Sequence, residues 1–462
     1  MENGWTPSKL GGADMNQGRI VVVSIMSVLI LLLTLVVASV SYSAEQLSLD
    51  QAVAMALANN PGLKAADAQV EAADAGVLRS ASGFLPKVNI SETWSRTDNP
   101  LMVLGTKLNR EIMGPDDFNP VVINDPEPLS NYNTRLAVTQ PLFNGGREYI
   151  GRSQAKLARE TSVQERERAR QETVYGVIKA YYGVLLAKAH NAVAQQSIET
   201  SAANLRLAEA RYKAGAVLQS DLLRAKVQFS EVKEMVTRSE NAVRLSTAGL
   251  NFAMGSPQAD EYEIAGTLTP QELKTELAQV LTDAQAKRPD LVAMELNRRN
   301  SEKSISMART DYLPSLNVMG QVDWNSAKLA GDDAKSWAVM GVLQWNLFDG
   351  LVTRSKVKEA VATNSRMRAL EEQTRERVQL QVRQAYYSAS SSLDRIAATA
   401  TSVEEADEGL RIVQKRYEAG MTNFVDVLGA ENALIRARTN ALQAVYDNNV
   451  ALAELKLAVG TL

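Results

Sequence analysis

Cysteine is absent from the 462 residues, and histidine occurs once, at His190. Without thiols the chain has no disulfide, thiolate metal site, cysteine nucleophile or lipid anchor on an N-terminal cysteine. His190 sits inside a helical stretch with no ligand-type neighbours, so it reads as structural, and no metal site, catalytic constellation or cofactor motif emerges elsewhere. The sequence therefore reads as a non-enzyme. A strong charge of either sign is also missing. The 50 Lys and Arg residues nearly balance 53 Asp and Glu, which leaves no basic field to hold nucleic acid by counterion release. Beyond residue 44 no apolar run approaches the roughly 18 residues of a membrane helix, so any insertion into a bilayer must use strands.

The start of the chain is different. Arg19 precedes an uncharged apolar run from Ile20 to Val37, followed by small residues ending in SYSA at 41–44. This is the layout of a secretory leader, with cleavage expected after Ala44. Tyr42 is bulky for its position near the cut, and the run is long enough to span a bilayer, so an uncleaved anchor is the alternative. Lys9 and Arg19 offset Glu2 and Asp14, so the mature chain keeps the net charge of −3.

Internal repeats dictate architecture, and this chain has one. RYKAG at 211–215 and RYEAG at 416–420 are 205 residues apart. The same offset sets Phe143 of PLFNGG on Phe348 of NLFDGL, AYY at 180–182 on AYY at 385–387, Asp221 on Asp426 and Gly255 on Gly460. Upstream the offset is 228, with Pro61 on Pro289 and Pro86 on Pro314. The difference, 228 − 205 = 23 residues, is an insertion between Pro86 and Phe143. It contains NPLMVLGTKLN and GPDDFNPVVINDPEP, whose Pro, Asn and Asp content predicts a loop without elements of its own.

Each copy runs helix, strand, loop, strand, long helix, turn, helix. The strands are expected in KVNISETWS, NTRLAVTQPL, SLNVMGQVDWN and SWAVMGVLQWNL. In the third, Leu316, Val318, Val322 and Trp324 alternate with Ser315, Asn317, Gln321 and Asp323; in the fourth, Trp337, Val339, Leu343 and Trp345 share a face. Their lengths suit tilted membrane strands with tryptophan near the ends, and they suit a soluble antiparallel sheet as well. Export and closure turn the reading toward a membrane. Lipid tolerates no open sheet edge, and known barrels begin at about eight strands, so three copies of a four-stranded unit would have to close one barrel of twelve.

The helical part is long. Arg147 to Arg211 would span about 100 Å at 1.5 Å per residue, and Val352 to Arg416 repeats it. Such helices need neighbours. Leu222, Phe229, Val236, Val243 and Leu250 recur every seven residues, as do Ile198, Leu205 and Tyr212 before the turn. Ala430, Ala437, Ala444, Ala451 and Ala458 form a seam of methyls, leaving Arg436, Arg438, Gln443 and Asn448 for water.

PLFNGG and NLFDGL at the strand-to-helix junctions, both AYY triplets, and RYxAG with an aspartate six residues past its glycine, ordered in a duplicated chain, resemble the TolC-like outer-membrane efflux proteins. The resemblance covers essentially the whole mature chain. It implies a mixed α and β homotrimer: a twelve-strand barrel in outer-membrane lipid, continuous with a twelve-helix tube through the periplasm. Such a trimer is the exit duct of a tripartite efflux or type I secretion system, fed by an inner-membrane pump and joined by a periplasmic adaptor. It divides the chain into a signal peptide (1–44), first-repeat helices (45–85), a strand pair with a long extracellular loop (86–143), helical hairpin 1 (144–255), an equatorial segment (256–275) that belts the tube, second-repeat helices (276–313), a second strand pair (314–348) and hairpin 2 (349–462). The competing reading is an exported periplasmic coiled-coil structural or adaptor protein.

The resemblance also implies site roles. Arg211, Tyr212, Gly215, Arg416 and Gly420 mark the turns where an adaptor docks. Tyr417 and Asp221 occupy positions whose polar contact holds the mouth shut, while Thr422 stands where the family has an arginine. Asp426 would line the constriction as an acidic ring, and Gly429 replaces the second acid. Each aspartate could equally cap the helix beginning there, with Ser220 and Asn423 as other caps.

Overall fold

A computed structural model describes residues 46–258 and 262–462. The expected leader at 1–44 lies outside the described residues. The first repeat comprises β1 (Gln46–Leu47), α1 (Leu49–Asn59), α2 (Pro61–Ala81), β2 (Lys87–Thr97), α3 (Pro100–Asn109), α4 (Pro120–Asn124), β3 (Leu129–Asn144), α5 (Arg147–Lys213) and α6 (Gln219–Met254). The second comprises β4 (Glu263–Ile264), α7 (Leu277–Lys287), α8 (Pro289–Arg309), β5 (Ser315–Ser326), β6 (Ala334–Gln344), α9 (Val352–Glu418) and α10 (Phe424–Val459). The duplication is carried into the helices: α5 and α9 have 67 residues each, and α6 and α10 have 36 each. Among the described residues no helix is long and apolar enough to cross a membrane.

The insertion is not a plain loop. Asn99 caps α3 by accepting from the Met102 amide, and Asn119 caps α4 through the Val121 amide, each with proline at the first helical position. Asn-Pro reads as turn chemistry, but it also pairs a strong N-cap with the residue that suits N1, and here the helix starts win. Trp345 departs from expectation too: β6 ends at Gln344, and the Trp345 indole donates to the Tyr312 carbonyl at 3.0 Å.

Four strands form one antiparallel sheet in the order β2-β3-β5-β6. Where the sheet meets the helices, Gly145 (φ 65°) and Gly350 (φ 68°) occupy the left-handed region. The next residue is Gly146 in one copy and Leu351, at φ 75°, in the other. Non-glycine residues reach that region at a cost of about 1–2 kcal/mol, so the tight junction is imposed by the sheet and helix it joins.

Paired cores clamp each hairpin where the short helices pack on the long ones. Val177, Tyr181, Val184, Leu250 and Met254 bury Ala52 and Ala56 of α1. Val378, Val382, Ala385, Leu455 and Val459 do the same for Val280 and Ala284 of α7. The two copies also lock the ends of α6 and α10 alike with different residues. Asn60 Nδ2 donates to the Ala253 carbonyl at 3.0 Å, and Arg288 Nη1 donates to the Ala458 carbonyl at 3.1 Å. After α6 the chain crosses back over this level. β4 pairs in parallel with β1, and the Tyr181 hydroxyl donates to the Ala265 carbonyl at 2.5 Å. In α10 the heptad alanines Ala437, Ala444, Ala451 and Ala458 are buried, and Ala430 is partly buried. Asn448 is also buried, not solvated: it donates to Ser392 Oγ at 3.0 Å and accepts from the Gln271 amide at 2.8 Å. The returning segment supplies the polar partner that its heptad position does not reveal.

The two junction glycines differ in surroundings. A Cβ on Gly145 would come within 2.7 Å of the Thr310 carbonyl oxygen, whereas one on Gly350 meets nothing within 4 Å. Gly350→Ala should therefore cost only the left-handed penalty, about 1 kcal/mol, and Gly145→Ala about 3 kcal/mol once the clash is added. Equal shifts in thermal denaturation would remove the clash from the account.

Candidate functional site

The chemistry of this chain lies in two surfaces, the sheet and the turns between long helices. Strand register sorts the sheet into two faces. One carries Val88, Ile90, Trp94, Leu136, Val138, Val322, Trp337, Val339 and Leu343, and the other carries Asn133, Arg135, Asn317, Gln321, Asp323 and Asn325. The polar face is internally connected: Arg135 Nε reaches Asp323 Oδ1 at 2.7 Å, Gln321 donates to Asp323 at 2.9 Å, and Asn131 donates to Asn325 at 2.9 Å. Among the described residues no helix packs over the strongly exposed apolar side chains of this face. Ile90 is 74% exposed, Trp337 74% and Val339 66%. A sheet in water buries its apolar face against a core; this one joins its polar side chains to one another and leaves the apolar side open, as a barrel wall in lipid requires.

Both reversals use glycine at positive φ, 71° at Gly215 and 73° at Gly420. Around the second reversal, Tyr417 and Phe424 pack with ring centroids 5.6 Å apart and planes tilted by 55°, in a small core with Ala208, Ala225 and Val427. Arg211 crosses from the first turn to the second. Its Nη1 donates to the Tyr417 carbonyl at 2.6 Å, Nη2 donates to the Glu418 carbonyl at 2.5 Å, and the guanidinium lies 4.6 Å from the centre of the Tyr417 ring. Arg416, its counterpart, is exposed and makes no such contact. Tyr212, Gly215 and Gly420 are exposed as well.

No hydrogen bond joins Tyr417 to Asp221. The Tyr417 hydroxyl is buried without a partner. Burial pushes the phenol up, the Arg211 guanidinium draws it back, and the nearby Asp221 carboxylate raises it again. Neither aspartate is an N-cap. Leu218 precedes α6 without a side-chain cap, and Asn423 caps α10 by accepting from the Asp426 amide at 3.1 Å. Asp221 and Asp426 instead sit in first turns, where the helix dipole favours a carboxylate. The Thr422 hydroxyl donates to the exposed Asp426 carboxylate. His190 is half-buried, and burial pushes its imidazole down.

One buried acid escaped the sequence reading. Glu431 is 5% exposed, and the Asn204 side-chain amide on α5 donates to it. Gln196, Thr200, Gln228 and Leu434 share with it a cavity of about 30 Å³. Burial pushes its carboxyl up to about 7. The signal was present: Phe424, Val427, Glu431 and Leu434 are spaced as one helix face, and the apolar members of that face are buried.

A sequence profile described as "Outer membrane efflux protein" matches residues 52–256 and 280–461, most of the chain. The chain belongs to the outer membrane efflux protein family. It is 24% identical over 420 residues to protein CyaE of Bordetella pertussis, covering 90% of this chain and 84% of that one. It is 25% identical over 421 residues to the alkaline protease secretion protein AprF of Pseudomonas aeruginosa, covering 88% and 83%. The solved CmeC outer membrane channel of Campylobacter jejuni superposes with a TM-score of 0.76 at 18% identity, covering 89% of this chain and 85% of that one. Outer membrane efflux proteins are exit ducts of efflux and type I secretion systems, seated in the outer membrane and extending into the periplasm, and that is the function of this chain.

Glu431 yields a pH dependence with a definite sign. Its carboxyl rises from 4.5 to about 7 on folding. The folded state thus holds the proton more tightly, and stability falls as pH rises from 4.5 to about 7, by up to roughly 3 kcal/mol. Glu431→Gln should abolish this slope and raise the melting temperature at pH 8 relative to the parent, with little change at pH 4. A parent protein equally stable at both pH values would contradict it.

Proposed function

We propose that three copies of the chain close a twelve-strand barrel and a twelve-helix tube, and that the tube's mouth is held shut by contacts between the RYKAG and RYEAG turns. The observation that carries this reading is a four-stranded sheet with both edge strands, β2 and β6, unpaired and its apolar face uncovered. Edge amides cannot be left in hydrocarbon, and β6 of one copy against β2 of the next satisfies them by rotation about a single axis. The chain should then run as a heat-sensitive trimer extracted from outer membranes. A soluble periplasmic monomer would sink the reading.

An inner-membrane pump supplies the cargo and the energy, and a periplasmic adaptor docks on the exposed turn residues Tyr212, Gly215, Arg416 and Gly420. Arg211 joins Asp221, Tyr417 and Asp426 as a gating residue. Its two charged bonds to backbone carbonyls tie hairpin 1 to hairpin 2 in one copy, and separating the hairpins leaves those partners unpaired. Charge-assisted bonds of this kind contribute about 1.5–3 kcal/mol each. Outward swing of one hairpin would break both at once. The Asp426 carboxylates, three in a narrow passage, favour cations.

The gate can be dissected in planar bilayers. Arg211→Ala should raise single-channel conductance several-fold, whereas Tyr417→Phe, which removes a hydroxyl without a partner, should leave it near the parent value. The reverse ranking would take the latch away from Arg211. Asp426→Asn should lower cation preference, read as a reversal potential closer to zero under a salt gradient; an unmoved potential argues against the acidic ring.

A further inference from the structure

The long loop of the first repeat is a folded object. Its helix α3 starts on the Asn99 cap and ends with Glu111 in the left-handed region, φ 56°, where the Ile112 amide closes onto the Lys107 carbonyl at 3.0 Å. Lys107 Nζ meets Asp117 Oδ1 at 2.6 Å, and the Gly114 amide donates to the same carboxylate at 2.8 Å. Arg110 Nη1 anchors the helix to the barrel wall through the Ser130 carbonyl at 3.2 Å.

Where this object sits is decided by what it covers. Helix α3 packs against both β3 and β6. In the order β2-β3-β5-β6 those strands flank β5, so the helix passes across it. Asn131, Asp323, Asn325 and Ala334, from the outer ends of β3, β5 and β6, are all buried, as is Val103 on the helix at 2% exposure. Asp323 and Asn325 belong to the polar face, Asn325 pairs with Ala334, and Asn131 donates to Asn325 at 2.9 Å. At the same height Trp94 on the opposite face is 59% exposed. Ser326, on that opposite face, is buried as well, but by the β5–β6 connection, whose Asp333 accepts from its hydroxyl at 2.8 Å and whose Lys328 amide donates to it at 3.0 Å. Asn131, Asp323, Asn325 and Ala334 share the polar face, so α3 covers that side.

We infer that α3 lies over the inward face of the barrel at its outer end, and that three such helices form a second constriction limiting the size of what leaves the duct. The inference rests on the trimeric closure proposed above. The equivalent connection in the second repeat, residues 327–333, carries no helix. The constriction therefore arises from one repeat only, once per copy. Its chemistry is apolar on the exposed side, with Leu101 and Leu108 more than half exposed, above a polar ring of Arg135 and Asp323. A long chain or bulky solute must displace α3 to pass.

The absence of cysteine makes the test direct. Asn317→Cys places a thiol on the inward face near the helical end of the barrel, and Leu329→Cys places one on the exposed outer connection. In cells treated from outside, a small charged maleimide should label both, while a maleimide on a long polyethylene glycol chain should label Asn317→Cys at least roughly tenfold more slowly. Equal rates with the polymer reagent would overturn the inference with the loop intact. Exchanging residues 98–128 for the short 327–333 connection should remove the difference, and so should the milder Val103→Glu, which lifts the helix without shortening the chain. A difference persisting in a variant that still runs as a trimer places the restriction elsewhere and overturns the assignment. An unmodified chain that fails to run as a trimer refutes the closure reading, and the constriction falls with it.

Discussion

Unpaired backbone amides at a sheet edge cost several kcal/mol each in hydrocarbon, and this chain carries two such edges on a sheet whose outer face is apolar. The rest of the molecule follows from removing them. Four strands cannot curl far enough to meet, so in the trimer proposed above β2 and β6 find partners on other copies. Closure by rotation fixes a helix hairpin below each strand pair. The duplicated layout keeps the hairpins equivalent, since α5 and α9 descend 67 residues from junctions at the same register. The polar network on the inner face is part of the same solution: Arg135, Asp323 and the surrounding amides satisfy one another and leave the barrel lined for water.

Sequence repetition does not produce functional repetition at the mouth. The arginines of RYKAG and RYEAG are equivalent by position, yet Arg211 is tied to two carbonyls of the other turn while Arg416 faces solvent. The asymmetric strap adds to the packing of Ala208 and Ala225 on Tyr417, Phe424 and Val427 and to the Asn204–Glu431 contact, which also join the two hairpins. Deeper in the wall the copies converge again: Asn60 and Arg288, chemically unlike, cap equivalent carbonyls because the geometry needs a donor there and is indifferent to its charge.

Periodicity made most of the fold legible. The strand alternation, the long proline-free helical runs and the buried alanines of α10 all appear in the structure where their spacing places them. What stayed hidden depended on partners distant in sequence. Asn448 looks solvated until the returning chain at Gln271, 177 positions upstream, donates to it. The Tyr417 hydroxyl looks like one half of a lock, but its ring is spent on packing and on the Arg211 guanidinium, and the hydroxyl itself is left over. Asn-Pro is ambiguous by nature, and only the apolar residues after Pro100, Val103 above all, decide for a helix.

In the proposed trimer the two ends of the duct are restricted by different physics, and this bears on how each can open. At the turns Arg211 donates charge-assisted bonds to backbone carbonyls, acceptors that substitution cannot remove, so in the gate proposed above opening requires the hairpins to separate. At the outer end α3 is held by one arginine, one buried valine and its own caps, and it can lift without disturbing the strand ladder beneath.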